Sequence, residues 1–229
     1  MMCDKCGGSG FISYRNEQGY EMAKECDCRT RMITEIRMRA SGISEAFQRK
    51  TIDSFDTKGN KVLEGAKQTA SDYVRTFFEK EKDTNNSIMF LGNPGSGKTH
   101  LSLAIGNELL NEYGVSCLYM PYRETMMELK QLAMNDKYKY EEKMYALTTA
   151  RLLIVDDLYK GSTTDADLNY MFQIMNQRYL NQLPFILSSE KLPIDLLNID
   201  EAIASRMLEQ AKGRTIVLND KKLNHRIYG

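Results

Sequence analysis

Long hydrophobic runs are missing from this sequence: nowhere do apolar residues continue for the roughly 18 positions a membrane-spanning helix needs. The start, Met1-Met2-Cys3-Asp4-Lys5-Cys6, has no apolar stretch behind a basic one, so a secretory leader is not expected. Both absences suggest a cytoplasmic chain. Excess charge is missing as well. The 31 basic residues are balanced by 31 acidic ones, which argues against coating duplex DNA by bulk electrostatics. Two local basic strips remain, Arg29, Arg31, Arg37 and Arg39 in one and Lys212, Arg214, Lys221, Lys222 and Arg226 in the other. Such runs are usually solvated faces. Histidine is scarce, with only His100 and His225. No internal repeat or low-complexity tract is present.

What is there reads as a soluble globular chain, 42% hydrophobic and 27% charged over 229 residues. That length fits one α/β domain plus a small appendage. Residues 1–45 form the appendage, with polar strands and a Gly-rich turn, and 46–229 the main domain. Val62, Ala66, Ala70, Tyr73, Val74 and Phe77 recur at helical spacing, so Lys61 to Lys80 is expected to be an amphipathic helix. From there apolar runs alternate with helical patterns, the signature of a parallel sheet flanked by helices. Strands are expected at Ile88–Leu91, Val115–Met120, Leu152–Val155, Phe185–Leu187 and Thr215–Leu218. Helices are expected at Lys98–Tyr113, Arg123–Met134, Asp165–Asn181 and Glu201–Glu209. Met126, Met127, Met171 and Met175 fall at helical spacings and read as core filler.

Gly92-Asn93-Pro94-Gly95-Ser96-Gly97-Lys98-Thr99 fits G-x-x-x-x-G-K-[ST] at every fixed position, between a buried strand and a helix. A Gly-rich turn alone would be weak evidence; Lys-Thr at this place in this context is strong. Glycines let successive N–H groups turn inward onto phosphate oxygens, and the helix N-terminus adds partial positive charge. The loop holds ATP or ADP; Lys98 reaches the β- and γ-phosphates of ATP, and the Thr99 hydroxyl ligates Mg²⁺. The apolar Leu152-Leu153-Ile154-Val155 ends in Asp156-Asp157, at the strand edge where α/β folds bind ligands. Asp156 is assigned to Mg²⁺. Asp157 either orients and deprotonates the attacking water or caps the following turn. His100 either approaches the nucleotide or packs.

Cys3-x-x-Cys6 and Cys26-x-Cys28 make two close pairs about 20 residues apart, a plausible four-thiolate Zn²⁺ set. Free thiols or an iron–sulfur site are the alternatives. A cytosolic disulfide framework is not expected. A segment this short buries too little to fold alone, so metal would supply the missing stability, in a structural site. Cys117 lies in a strand pattern and reads as core.

With these motifs placed, the chain resembles an AAA+ ATPase, and within that class the DnaC/DnaI-type loaders of replicative helicases, from about residue 40 onward. Besides the two nucleotide motifs, the resemblance includes Val115–Met120, Asn176-Gln177-Arg178-Tyr179 before Pro184–Ser189, and Ala204-Ser205-Arg206-Met207. It implies a γ-phosphate sensor in Ser188-Ser189-Glu190, assigned to Ser189, where the family often shows Thr-Ser-Asn. It also implies that Arg206 reaches a neighbour's ATP, unless it is simply a surface arginine, and that the C-terminal lid is abbreviated. Arg214 is a weaker nucleotide contact. The implied function is an ATP-hydrolysing loader of a replicative helicase, with single-stranded DNA as a further partner and nucleotide-dependent self-association. An IstB-like regulator of transposition or target selection shares the same core, and a non-hydrolysing switch is a third reading.

Overall fold

The structure is a computed structural model and describes residues 3–29, 32, 33, 36 and 45–228. Arg31, Arg37 and Arg39 of the first basic strip lie outside the described residues, as do the side chains of Lys221 and Arg226.

Strands β1 (Phe11–Arg15) and β2 (Glu21–Glu25) form an antiparallel ribbon in which Tyr14 lies opposite Met22. Asn16 shapes its turn, the side-chain oxygen accepting from the N–H groups of Gln18 and Tyr20. Nearly every ribbon side chain is exposed, so the ribbon has no hydrophobic core of its own.

The main sheet has five strands in the order β4-β5-β6-β3-β7, all parallel: β3 (Ile88–Gly92), β4 (Cys117–Pro121), β5 (Leu152–Leu158), β6 (Phe185–Ser189) and β7 (Thr215–Leu218). Because strand side chains alternate between faces, the apolar runs feed two cores. Ile88, Phe90, Leu152, Ile154 and Ile186 face α2 (Lys61–Arg75) and α4 (Lys98–Tyr113). Met89, Leu91, Leu153, Val155, Phe185 and Leu187 face α5 (Tyr122–Asn135), α6 (Lys137–Thr149), α7 (Asp165–Leu180), α8 (Pro193–Ile199) and α9 (Glu201–Gln210). The described residues also include the short helices α1 (Glu45–Gln48), α3 (Phe77–Lys80) and α10 (His225–Tyr228) and a 3₁₀ turn at Lys221–Leu223.

Several expectations need correcting. The helix expected over 61–80 is broken at Thr76, whose φ of −99° and ψ of 7° end α2 before α3 resumes. Val62 and Met127 are exposed, at 49% and 64%, while Leu63 and Met126 take the core positions. Met171 and Met175 are buried as expected, and so is Cys117. Four helices, the short α1 and α10 and the longer α6 and α8, are additional to those read from periodicity.

The segment before α2 is tied to α4. Asn107 Nδ2 donates to the carbonyls of Phe47 and Lys50, and Ile52 N–H donates to Glu108. These contacts lay residues 47–55 beside the Gly-rich loop, where the Phe55 ring packs so closely on Gly97 that a Cβ would overlap it.

Candidate nucleotide site

Where β3 ends, the backbone bends into left-handed conformations at Gly92 (φ 125°), Gly95 (75°) and Gly97 (90°). At Gly92 a side chain would also strike the Leu218 carbonyl of β7, so only glycine fits. Gly97 caps α4, leaving that helix's first N–H groups free of side-chain caps. The result is a cavity of about 360 Å³ at the C-terminal edge of the sheet. Gly95, Gly97, Lys98, Thr99, Asp156 and Asp157 line it.

Lys98 is 5% exposed, and its ammonium donates to the carbonyls of Gly92 (2.8 Å) and Asn93 (2.7 Å). Burial holds its pKa below the ordinary lysine value. The Thr99 hydroxyl donates to Asp156 Oδ1 at 2.8 Å, although 57 residues separate the two. Asp156 also accepts from the Tyr119 hydroxyl at 3.0 Å and from Ser188. A hydroxyl and a carboxylate brought together beside a phosphate loop are the hard oxygen donors that suit Mg²⁺.

Asp157 sits on a bulge of β5, where the pairing with β6 slips between Val155 and Leu158. Its φ is 56°, a left-handed conformation rare outside glycine. Bulges of this kind re-aim a side chain, and here both neighbouring carboxylates line the cavity. The Asp157 N–H donates to Ser188 Oγ at 2.9 Å, and its Oδ2 accepts from Lys160 at 2.6 Å.

The sensor expectation meets a different arrangement. Ser189 is fully buried, its hydroxyl donating to the Leu158 carbonyl and accepting from Lys191 N–H, and it is not among the residues lining the cavity. Ser188, one position back on the opposite face of β6, touches both aspartates, and Glu190 lines the cavity. Strand alternation was the available signal for Ser188; nothing in the sequence marked Lys160.

His100 lines the cavity, but its Nε2 lies 3.1 Å from the Thr51 carbonyl and its ring stacks edge-on against Phe55. Burial lowers its pKa. Asn93 and Ser96 serve the loop itself: Asn93 Nδ2 donates to the Asn219 carbonyl and Ser96 to that of Asn93. Pro94 and His225 join the lining, and His225 N–H donates to the Gly95 carbonyl. Arg206 is elsewhere on this chain, its guanidinium over the rings of Phe172 and Tyr179. Arg214 donates to the Asn85 carbonyl and lies over Tyr73, a structural post.

The four N-terminal cysteines converge, their sulfurs all within 4.8 Å of one another. Cys3 and Cys26 are 3.8 Å apart, and Cys6 and Cys28 3.3 Å. Tetrahedral zinc with bonds of about 2.3 Å sets its sulfurs about 3.8 Å apart, so the donor set fits. A hydrogen bond with Cys28 lowers the Cys6 pKa to about 6, and Gly8 and Gly10 backbone N–H groups add to the effect. Among the described residues no helix is long and apolar enough to cross a membrane.

A family profile described as IstB-like ATP binding protein matches residues 5–221. The phage-like element PBSX protein XkdC of Bacillus subtilis (strain 168) is 33% identical over 99% of this chain and 86% of its own length. A putative ATP-binding protein of insertion sequence IS5376 from Geobacillus stearothermophilus is 27% identical, over 81% and 71%. The crystal structure of the DnaC helicase loader matches with a TM-score of 0.61 at 21% identity, covering 77% of this chain and 100% of that one. The fold is thus the AAA+ type of P-loop sheet.

Proposed function

We propose, from the premise that this chain belongs to the IstB-like ATP-binding protein family, that it is a Mg²⁺-dependent ATPase that delivers a replicative helicase onto single-stranded DNA. The observation that carries the ATPase reading is one cavity lined by Lys98, Thr99, Asp156 and Asp157. The loop N–H groups and Lys98 bind the phosphates, and Lys98 exchanges its two carbonyl partners for phosphate oxygens. Thr99 and Asp156 would hold Mg²⁺, which offsets phosphate charge when bound. Asp157 takes a proton from water as the water oxygen bonds to the γ-phosphorus. The bond from that phosphorus to the β–γ bridging oxygen breaks, and ADP and inorganic phosphate leave. Ser188 steadies both aspartates, and it takes the polar sensor position assigned to Ser189.

The four thiolates would hold Zn²⁺ in residues 1–45, making a partner-binding module ahead of the ATPase domain of 46–229. Its exposed Phe11, Tyr14, Tyr20 and Met22 suit a protein partner. The loader reading draws support from this module, from the zero net charge and from the fold held in common with the DnaC helicase loader. The insertion-sequence relative favours the second reading, a regulator of transposition. The test is deposition of a hexameric replicative helicase on single-stranded DNA circles, with the protein plus ATP or ADP. ATP-dependent stimulation supports loading; long ATP-dependent filaments on duplex DNA without helicase contact support the transposition reading instead.

A further inference from the structure

Nucleotide binding and hydrolysis employ Lys98, Thr99, Asp156 and Asp157 but give Lys160 no task. Lys160 follows β5 in a tight turn that its own N–H closes onto the Asp157 carbonyl at 3.1 Å. Within that turn Asp157 (φ 56°) and Tyr159 (φ 57°) are both left-handed. Non-glycine residues persist in that conformation where the surroundings hold them, and Tyr159 is anchored at 1% exposure. The turn therefore aims Lys160 deliberately. Its ammonium lies 2.6 Å from Asp157 Oδ2 and 3.4 Å from Glu190 Oε1, and all three side chains line the cavity with Lys98.

Two features make this arrangement more than a surface ion pair. First, the ammonium engages the very carboxylate that must accept a proton from water. An oxygen that already accepts from an ammonium is not open to water. Second, Glu190 brings another negative charge to the end of a site built for phosphate, and only a nearby cation offsets it. The Lys160 side chain is 44% exposed, and half-exposed ion pairs are weak enough to exchange partners. A terminal phosphate with more than one negative charge competes for the ammonium better than a single carboxylate does.

We propose that Lys160 is a positioning residue that distinguishes ATP from ADP: it holds Asp157 until a γ-phosphate draws its ammonium away, freeing that carboxylate for water. Glu190 keeps the ammonium at the cavity during the exchange. With ADP no γ-phosphate competes, and Lys160 stays on Asp157. This inference rests on the ATPase reading and goes beyond it, because a built-in cation, in addition to a neutral polar sensor, would report the nucleotide state.

The experiment compares the wild type with Lys160→Gln and Lys160→Arg. It measures the Mg²⁺-dependent affinities for ADP and for a non-hydrolysable ATP analogue by calorimetry, and kcat at saturating ATP. Lys160→Gln is expected to lose about tenfold of the preference for triphosphate, the usual worth of a charged hydrogen bond. Its ADP affinity stays unchanged, which also shows an intact fold, and kcat falls because no ammonium is left to offset charge on the γ-phosphate. Lys160→Arg, which keeps the charge, recovers the preference. An unchanged preference and kcat in Lys160→Gln overturns the proposal, and so does an equal loss of affinity for both nucleotides. A wild type that binds neither nucleotide overturns the ATPase reading itself, a result distinct from either.

Discussion

Asp157 accepts from Lys160 while its own N–H donates to Ser188, so two contacts within the chain place its carboxylate at the cavity wall. Asp157→Asn keeps the shape and removes the proposed base. Turnover should fall roughly 10²–10⁴-fold, the usual contribution of general-base catalysis, with ATP affinity nearly unchanged. Comparing kcat with the dissociation constant checks this, and unchanged turnover would remove Asp157 from its role. Gly92 offers a second residue-scale test. Its φ of 125° and the Leu218 carbonyl facing it leave no room for a methyl group. Gly92→Ala should destabilise the fold by roughly 1–3 kcal/mol, the cost of such backbone strain, and weaken nucleotide binding with it. A thermal melt with and without ATP separates the two effects. At this scale the loop was legible because its fixed positions, Gly92, Gly97, Lys98 and Thr99, ask for chemistry that few residue types supply. The sensor was not. Ser188 and Ser189 are chemically identical, and only the register of β6 against β5 decides which of them faces Asp156.

Strongly patterned elements were legible and weakly patterned ones were not. Helix α4 begins at Lys98 and ends at Tyr113, as Gly114 (φ 66°) indicates by closing it in the left-handed conformation. Helix α6 escaped notice because its Lys-Tyr-Lys-Tyr-Glu-Glu start has no apolar stripe, and only Met144 and Leu147 are buried. Arg178 illustrates a different blindness. It is fully buried, donating to the carbonyls of Leu147, Ala150 and Pro184, and so it ties the end of α6 to β6. Nothing in a sequence marks an arginine for such a post, since arginine is usually exposed. The β1–β2 ribbon carries the element-scale prediction. With its side chains in solvent, its order depends on the four converging sulfurs. A strong chelator should release one equivalent of zinc and make residues 3–29 protease-sensitive. Nucleotide affinity of the five-stranded domain should stay within about twofold, because distant, independent sites add. Metal analysis and limited proteolysis read both, and a purified protein with no zinc and four freely titratable thiols would dismiss the site.

Across the whole molecule, the proposed hydrolysis asks where a charge-offsetting arginine would come from. Hydrolysis leaves charge on the departing phosphates, and a guanidinium is the usual group to offset it. Arg206 is held away from the cavity lining on its own chain, donating to the Ala202 carbonyl and lying 5.6 Å from the centre of the Tyr179 ring. If it serves ATP, it serves that of a second copy, packed head to tail so that each site faces a neighbour's α9. Two consequences follow that no single-chain mechanism shares. Specific ATPase activity should rise with protein concentration and then level off as the assembly fills. Arg206→Ala and Asp157→Asn, each inactive alone, should also complement one another when mixed, since Arg206→Ala retains an intact site and Asp157→Asn an intact arginine. Random mixing in equal parts pairs an intact site with an intact arginine at about a quarter of the interfaces, so activity should return to about a quarter of wild type. A mixture as inactive as its components, beside an active wild type, would return Arg206 to a structural role on α9, and so would full activity in Arg206→Ala alone.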